Sequence, residues 1–235
     1  TPSLVLDLDV MESNLELMAA HCRATGQALR PHAKSHKCTS IAKAQIAAGA
    51  VGVCCATIHE AEVMVAAGVP VLITSPPTGE AKVARLMVLH GTTEALKVAT
   101  DTLAHVAALA AATAAAGIDR PLAVVIDFDV GTHRTGAATA TDVVVLAQAI
   151  EGAPGLKFAG VQAYYGHLQH IEDYVERTVA VAAENMRLGE TVDALRAAGF
   201  AVPLVTGGGT GSYDMDHRHG LFNELQAGSY VFTDV

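Results

Sequence analysis

Short runs of apolar and β-branched residues alternate along the chain with alanine-rich stretches of helical periodicity. This alternation is typical of βαβ units, and therefore of a parallel sheet covered by helices. The pattern predicts eight strands, at Ala28–Lys34, Gly52–Ile58, Val71–Ser75, Leu96–Thr100, Ala123–Val130, Phe158–Tyr165, Leu204–Gly207 and Glu224–Phe232. Helices are predicted between most of them, near Ser40–Ala48, His59–Ala67, Gly79–Leu89, Thr102–Ala115, Ala140–Ala149 and Ile171–Ala198.

The segment ahead of these strands carries one more strand and one more helix. Residues Ser3–Asp9 alternate apolar and polar positions, and Met11–Thr25 repeats apolar residues along one helical face before Gly26, a usual helix terminator. Eight strands after a leading one predict an α/β fold, namely a (β/α)8 TIM-like barrel preceded by one extra N-terminal strand. A doubly wound open sheet would alternate in the same way, but it rarely needs eight parallel strands in 235 residues.

Composition limits the cellular location and the class of partner. The formal net charge of −9 argues against a nucleic-acid partner, which would require a basic face. No apolar run approaches the ~18 residues of a membrane span, so no membrane partner is expected, and no secretory signal is visible. The four cysteines show no Cys-x-x-Cys spacing, so we expect no disulfide framework and a reducing, cytoplasmic location.

Charged and polar residues gather where the predicted strands end, which is where barrels carry their chemistry. The first barrel strand ends in Arg30-Pro31-His32-Ala33-Lys34-Ser35-His36-Lys37. Crowded cations are costly unless an anion lies nearby, and a lysine among cations has a lowered pKa and is a better nucleophile. A solvated basic loop explains the same run, so this segment alone leaves both interpretations open.

The fifth and sixth strands also end in polar residues. Asp127 and Asp129 follow an apolar run with Arg134 within reach, a pattern that structural ion pairing explains nearly as well as function does. Tyr164 and His167 belong to a cluster of aromatic and imidazole groups in a chain that is poor in aromatic residues. This second cluster favours a functional site.

The seventh strand runs into a glycine-rich loop, Gly207–Ser212. Successive glycines let backbone N–H groups converge on an anion, and barrels often bind phosphate with the loops after strands seven and eight. The eighth strand offers another close backbone approach at Gly228. A reactive Lys34 and a phosphate-binding loop at one barrel mouth together indicate pyridoxal 5′-phosphate (PLP) as the cofactor.

Several segments taken together resemble one known family over essentially the whole chain. These segments are Thr1-Pro2 with Asp7-Leu8-Asp9, Arg30 to Lys37, Val51-Gly52-Val53-Cys54-Cys55, Gln162-Ala163-Tyr164, Gly207 to Ser212, and Glu224-Leu225-Gln226-Ala227-Gly228-Ser229-Tyr230. The chain resembles the fold-type III PLP enzymes, which have an alanine-racemase-like N-terminal barrel. Within them it is most similar to the D-threonine aldolase and 3-hydroxy-D-aspartate aldolase branch, with D-serine dehydratase as a relative.

The resemblance implies roles for individual residues. Lys34 matches the lysine that binds PLP covalently, and Arg134, in an Asp-x-Gly-x-x-Arg-x-Gly pattern, matches the arginine near the phenolic oxygen. Gln226 stands where alanine racemases place the arginine that faces the pyridine nitrogen, and Tyr164 stands where they place a histidine supporting it. The implied phosphate contacts are Gly208, Gly209, Thr210, Gly228, Ser229 and Tyr230.

Members of this family continue into a C-terminal β-domain that is absent from this chain. The resemblance therefore divides the chain into a leading strand, residues 1–9, that would join the β-domain, and a PLP-binding barrel, residues 10–235. It also implies a homodimer and a divalent metal (Mn, Mg or Zn) held by residues outside this chain. Within the chain, His217 and His219 with Asp214 and Asp216 come closest to a metal pair, but a solvated turn in a polar linker explains them better, so we expect no metal ligand here.

The reaction implied by the resemblance is retro-aldol cleavage of a small D-3-hydroxy amino acid, such as D-threonine, to glycine and an aldehyde. The base that removes the β-hydroxyl proton is expected to be His167 or a water on the metal. Gln226 is neutral and, unlike an aspartate, would not hold the pyridine nitrogen protonated, so we expect a moderate electron sink. The alternatives are dehydration of D-serine or D-threo-3-hydroxyaspartate, and a non-catalytic PLP-homeostasis barrel.

Overall fold

The computed structural model of the protein describes residues 5–232. Eight parallel strands form the predicted α/β barrel, with neighbours in the order β1-β8-β7-β6-β5-β4-β3-β2. The ring closes between β1 and β2, where the Cys54 N–H donates to the Pro31 carbonyl oxygen at 2.8 Å. The strands are β1 (Ala28–Leu29), β2 (Val53–Cys55), β3 (Val71–Ile73), β4 (Leu96–Thr100), β5 (Leu122–Phe128), β6 (Leu156–Ala163), β7 (Val205–Gly207) and β8 (Glu224–Leu225).

Helices follow most of the strands, and each predicted helix is present. They are α1 (Leu8–Thr25), α2 (Thr39–Ala47), α3 (Ile58–Ala66), α4 (Glu80–Thr92), α5 (Leu103–Ala116), α6 (Ala140–Glu151), α7 (Tyr174–Ala197) and the short α8 (Tyr213–Asp216). Capping side chains set several of their first residues. Asp173 accepts from the Glu176 N–H at 2.7 Å, which explains why α7 begins after the predicted Ile171. No helix within residues 5–232 combines the length and apolar character needed to cross a membrane.

The first and last strands are shorter than the sequence pattern predicts. Regular β1 ends at Leu29, and past it the Arg30 and His32 N–H groups still donate to the Leu225 and Ala227 carbonyl oxygens. Lys34 therefore lies in a short 3-10 turn, Ala33–Ser35, rather than in the strand. In the same way β8 has only two residues, and the chain then forms a second 3-10 turn at Ser229–Phe232.

The predicted leading strand, Ser3–Asp9, falls partly outside the described residues. In its described part Leu8 and Asp9 belong to α1, and the residues just before them form no regular strand. The cause is Asp7, whose carboxylate accepts from the Val10 N–H at 3.2 Å and starts the helix earlier than predicted. The assignment of residues 1–9 to another domain stays a prediction.

The interior of the barrel is layered. Cys54, Leu72 and Val125 form an apolar layer without exposed surface. Arg30 and Glu224 form a buried ion pair inside the barrel, with Nε and Oε1 3.0 Å apart. Arg30 therefore has its own carboxylate partner and does not belong to a cationic cluster at the barrel mouth. Toward the carboxyl ends of the strands, polar side chains take over and form the floor of a cavity.

Candidate active site

The carboxyl ends of the barrel strands enclose a cavity of about 640 Å³. This volume lies in the usual range for small-molecule sites. The loops after β1, β6, β7 and β8 supply most of its lining, where the strand-end pattern places the chemistry. Eight of the predicted site residues line it: Lys34, Arg134, Tyr164, Gly209, Thr210, Gln226, Gly228 and Ser229.

Lys34 presents its amine to an aromatic ring in this cavity. Its Nζ lies 5.2 Å from the centroid of the Tyr164 ring, and the guanidinium carbon of Arg134 lies 5.7 Å from the same centroid. Burial, and then the charge of Arg134, lower the pKa of the Lys34 amine. Because a larger fraction of the amine is then neutral, Lys34 is a better nucleophile toward a carbonyl carbon.

The His32 imidazole on the cavity floor is held neutral in one tautomer. Its Nδ1 accepts from the Lys34 N–H at 3.4 Å, so Nε2 carries the proton and donates to Thr74 Oγ1 at 3.2 Å. The Thr74 hydroxyl in turn donates to the Cys55 carbonyl oxygen at 3.2 Å. Burial, followed by the charges of Lys34 and Arg134, lowers the pKa of His32 to about 3. His32 therefore shapes the turn that carries Lys34 and is no acid or base near neutral pH.

Two glutamines connect a buried carboxylate to the cavity. Gln162 Nε2 donates to Asp127 Oδ1 at 2.9 Å, and Gln226 Nε2 donates to Gln162 Oε1 at 3.2 Å. Asp127 also accepts from the Thr135 hydroxyl at 2.8 Å. Burial raises the pKa of Asp127 to about 6, while the hydrogen bonds from Gln162 and Thr135 oppose that rise. Asp127 is thus the inner end of a polar chain that reaches the cavity through Gln226.

The glycine-rich loop after β7 is held by hydrogen bonds of its own. Ser212 Oγ accepts from the Gly209 N–H at 3.2 Å and from Gln169 Nε2 at 2.9 Å. It donates to Asp216 Oδ2 at 3.0 Å. The Gly211 N–H donates to Gln169 Oε1 at 2.9 Å. Since these bonds use the N–H groups of Gly209 and Gly211 internally, neither is free for an anion.

Other donors at this edge of the cavity are free for an anion. In the described part of the chain, no acceptor is found for the backbone N–H groups of Thr210, Gly228 and Ser229. The Thr210 hydroxyl oxygen accepts from the Ser229 hydroxyl at 3.1 Å and from the Tyr230 N–H at 3.2 Å, which leaves its own proton to donate. We call Thr210, Gly228 and Ser229 the anion cup. Converging neutral donors of this kind suit a phosphate group.

Asp216 is buried, and the prediction of a solvated turn is wrong for this residue. Its side chain has no exposed surface and accepts from the Tyr165 hydroxyl as well as from Ser212. The short helix α8 folds back beneath the loop and brings the carboxylate there. Burial raises the pKa of Asp216 to about 7. Asp216 therefore supports the loop from below, whereas His219 is exposed.

Three predicted site residues lie outside the cavity lining. His167 is exposed and lies beside Gly131, where an added Cβ would come within 3.2 Å of His167 Cε1. The Tyr230 ring points into the core, where its hydroxyl accepts from Gln45 Nε2 at 3.2 Å, and only its backbone reaches Thr210. Gly208 is buried behind the loop.

The structure also brings in lining residues that the sequence did not mark as site residues. Thr74 follows β3 directly, so the strand-end rule would have found it. Gln169 and His170 belong to the polar cluster after β6 and line the same cavity. Arg177 comes from α7, and no local pattern distinguishes it from other surface arginines.

An amine of lowered pKa, an anion cup and a buried hydrogen-bond chain thus share one cavity at the mouth of a parallel barrel. These features define a barrel that can hold an anionic carbonyl compound covalently. The model of the alanine racemase N-terminal domain family matches residues 6–234. The chain belongs to this family.

Relatives of this chain include enzymes of two kinds. It is 40% identical over 237 residues to the 3-hydroxy-D-aspartate aldolase of Paracoccus denitrificans (strain Pd 1222), covering 100% of this chain and 61% of the aldolase. The crystal structure of D-threonine aldolase from Filomicrobium marinum matches with a TM-score of 0.96 at 42% identity, over 100% of this chain and 63% of that chain. The D-threo-3-hydroxyaspartate dehydratase of Delftia sp. (strain HT23) is 31% identical over 239 residues, which cover 100% of this chain and 62% of the dehydratase. The chain therefore spans less than two-thirds of each of these relatives.

Proposed function

We propose that the protein is a PLP-dependent aldehyde-lyase that cleaves D-3-hydroxy amino acids to glycine and an aldehyde. The observation that carries the proposal is that the Lys34 amine and the anion cup line one cavity. PLP offers an aldehyde to the amine and a phosphate to the cup, so the described residues fit it. The two aldolase relatives are named for 3-hydroxy-D-aspartate and D-threonine, and both compounds are D-3-hydroxy amino acids.

The side chains of the cavity have separate binding roles in this proposal. Lys34 would hold the aldehyde carbon of PLP covalently, and the anion cup would hold the phosphate. Arg134, beside the Tyr164 ring, would bind the phenolic oxygen of PLP, and its charge lowers the pKa of the Lys34 amine. When bound, PLP supplies an electron sink for the pair released as the substrate Cα–Cβ bond breaks. Gly208, Gly209 and Tyr230, the other predicted phosphate contacts, support the loop.

A base must take the proton from the substrate β-hydroxyl. His167 was predicted for this role but lies outside the cavity lining, whereas His170 lines the cavity. His32 lines it too, but both of its ring nitrogens already have hydrogen-bond partners. We therefore assign the base to His170.

The divalent metal, the homodimer and the cytoplasmic location stay predictions. Within residues 5–232, no group of three or more His, Cys, Asp or Glu side chains is arranged to hold a metal ion. The described residues therefore do not fit a metal site, and we assign no step to a metal.

Dehydration is the second candidate, and the dehydratase relative favours it. In that reaction a proton leaves the substrate Cα and the β-hydroxyl departs, so the products are an oxoacid and ammonia. The Lys34 amine can serve as the Cα base in a cavity of the same design. A non-catalytic PLP barrel is disfavoured, because the three relatives described above are named as enzymes.

The decisive experiment identifies products. The full-length protein is incubated with PLP and a divalent metal, in separate reactions with D-threonine, 3-hydroxy-D-aspartate and D-serine. We expect glycine with an aldehyde, and loss of both product formation and the visible absorption of bound PLP in Lys34→Ala. Lys37→Ala is the matched control, because Lys37 pairs with Glu60 at 3.4 Å and does not line the cavity. Formation of an oxoacid and ammonia would establish the dehydratase instead. If only Lys37→Ala removed the visible absorption, Lys37 and not Lys34 would be the lysine that binds PLP.

A further inference from the structure

Asp216 is a buried carboxyl group that lies beneath the glycine-rich loop without a cation beside it. Its Oδ1 accepts from the Tyr165 hydroxyl, and its Oδ2 accepts from the Ser212 hydroxyl at 3.0 Å. No salt bridge to Asp216 is found in the described part of the chain, and the nearby Arg218 guanidinium pairs with Asp214 at 3.7 Å instead. A negative charge on Asp216 is therefore stabilised only by neutral donors, which makes it costly at this depth.

The Asp216 carboxyl group also touches the loop that carries the anion cup. An added Cβ at Gly208 would overlap Asp216 Oδ2. The Ser212 hydroxyl that donates to this oxygen also accepts from the Gly209 N–H at 3.2 Å, and Gly209 directly precedes Thr210 of the cup. A charge on Asp216 would thus lie close beneath an anion in the cup, where like charges repel each other more strongly than in water.

The groups that pack around Asp216 do not offset this charge. The titratable groups that act on it are the Tyr165 hydroxyl, which follows β6, and the Asp214 carboxylate, which precedes it on α8 and adds a second negative charge. His217, the next residue, packs its ring against His21 on α1. The other groups that act on Asp216 are the neutral donors of the loop.

A buried hydrogen-bond chain can accommodate a proton on Asp216. A proton on Oδ1 would be donated to the Tyr165 oxygen, and the Tyr165 hydroxyl proton would then need another acceptor. The Asn185 side chain lies within hydrogen-bonding reach of that hydroxyl, and its Oδ1 is buried with no donor found in the described residues. Rotation of the Asn185 amide would supply the acceptor. The neutral form of Asp216 therefore has a complete set of partners.

We propose that Asp216 takes up a proton from solvent when a phosphate group occupies the anion cup, and that it is the positioning residue of that cup. The inference rests on the proposed function. The phosphate of PLP is a dianion well above pH 6, so it binds more weakly above a carboxylate than above a neutral carboxyl group. Since burial raises the pKa of Asp216 to about 7, the affinity for the phosphate should fall as the pH rises above 7.

The test counts protons during binding. Full-length apoprotein is titrated calorimetrically at pH 8 with pyridoxine 5′-phosphate, which has the phosphate of PLP but no aldehyde for Lys34. The same titration in buffers of different ionisation enthalpy gives the number of protons taken up. We expect uptake of a fraction of one proton in the wild type and none in Asp216→Asn, which is neutral at every pH and close to Asp216 in shape.

The matched control is Asp193→Asn, because Asp193 is exposed on α7 and pairs with Arg196 at 3.2 Å. This variant should take up as many protons as the wild type. The dissociation constant of the wild type should rise with pH above 7 by up to about tenfold per pH unit, and that of Asp216→Asn should not follow it.

The outcomes separate this inference from the function on which it rests. Binding to the wild type without proton uptake overturns the inference and leaves the proposed function standing, and so does equal uptake in Asp216→Asn. If Asp216→Asn does not fold, infrared difference spectra of the wild type decide, because a newly protonated carboxyl group adds a C=O band on binding. Absence of this band overturns the inference. If pyridoxine 5′-phosphate binds no better than pyridoxine, the cup does not hold phosphate, which refutes that part of the proposed function together with the inference.

Discussion

At the scale of single residues, His32 shapes the turn that carries Lys34 while its own imidazole stays neutral. His32 is buried, with an exposed fraction of 8%. Its two ring nitrogens form hydrogen bonds with the Lys34 N–H and the Thr74 hydroxyl, and so connect the turn of Lys34 to Thr74. A protonated His32 would lose its acceptor nitrogen and stand beside the Lys34 and Arg134 cations. The fold therefore needs the neutral form.

This requirement predicts an acid-sensitive fold. The pKa of His32 is about 3 in the folded protein against 6.5 for the unperturbed group, so between these values the unfolded chain binds a proton that the folded chain does not. The free energy of unfolding should fall as the pH is lowered from about 6.5, with a contribution from this group of about 1.4 kcal/mol per pH unit. Urea unfolding across this range measures the slope.

The matched variants are His32→Gln, which keeps an acceptor and a donor, and His219→Gln at an exposed position. His32→Gln should reduce the slope by that amount, and His219→Gln should leave it close to the wild-type value. Equal slopes in all three proteins would show that His32 takes up a proton without cost to the fold.

At the scale of elements, the loop after β7 depends on the helix that follows it. Gly208 has a φ of +67°, and an added Cβ would lie 2.1 Å from Asp216 Oδ2. The carboxylate of α8 thus fills the space where a side chain at position 208 would stand. The loop keeps its shape because Ser212 connects this carboxylate to Gly209.

We predict that Gly208→Ala weakens PLP binding by displacing Asp216 and with it the anion cup. Loss of one hydrogen bond to a charged phosphate corresponds to roughly a tenfold weaker affinity. Gly220→Ala is the control, since Gly220 has a similar φ of +63° with nothing within 4 Å of its added Cβ. Titration of the full-length apoprotein with PLP measures both. Equal affinities in the two variants would mean that the loop tolerates movement of Asp216.

At the scale of the whole molecule, both the first helix and the cavity mouth are open to solvent. Leu8 and Leu17 on α1 are 58% and 66% exposed. Lys34 and Arg134 keep much of their surface exposed although they line the cavity, so the burial that lowers the pKa of the Lys34 amine is only partial. Catalytic sites that exclude water strengthen the electrostatic interactions inside them, and this mouth does not exclude water by itself.

We predict that residues 1–235 expressed alone bind PLP, because the proposed cofactor contacts are all in the barrel. If the natural protein has the length of its relatives, this fragment should unfold at a lower temperature and cleave D-threonine about 10-fold more slowly or worse. Visible absorption, thermal unfolding and aldehyde release, measured side by side for the fragment and the full-length protein, check the three parts. Cleavage by the fragment at the full-length rate would contradict the prediction.

Local patterns in the sequence determined the barrel and much of its site. The alternation of β-branched and alanine-rich runs is a pattern among residues that are close together in the chain. This pattern predicted eight parallel strands and the helices between them. The strand-end rule then placed Lys34, Tyr164, Thr210 and Gln226 at one mouth, and in the structure these four residues line one cavity. The role of each residue in binding PLP stays a prediction.

Tertiary structure alone decided which polar groups meet and which way they point. Asp216 reads as part of a solvated linker, and only the return of α8 beneath the loop buries it. His167 and His170 are equivalent in the sequence, but the turn after β6 places only His170 in the cavity lining. The orientation of the Gln226 amide follows from the Thr74 carbonyl through Gln162, a link between residues far apart in the chain. Hydrogen bonds are directional and short-ranged, so their partners are set by the packing of whole elements and not by the neighbours of a residue along the chain.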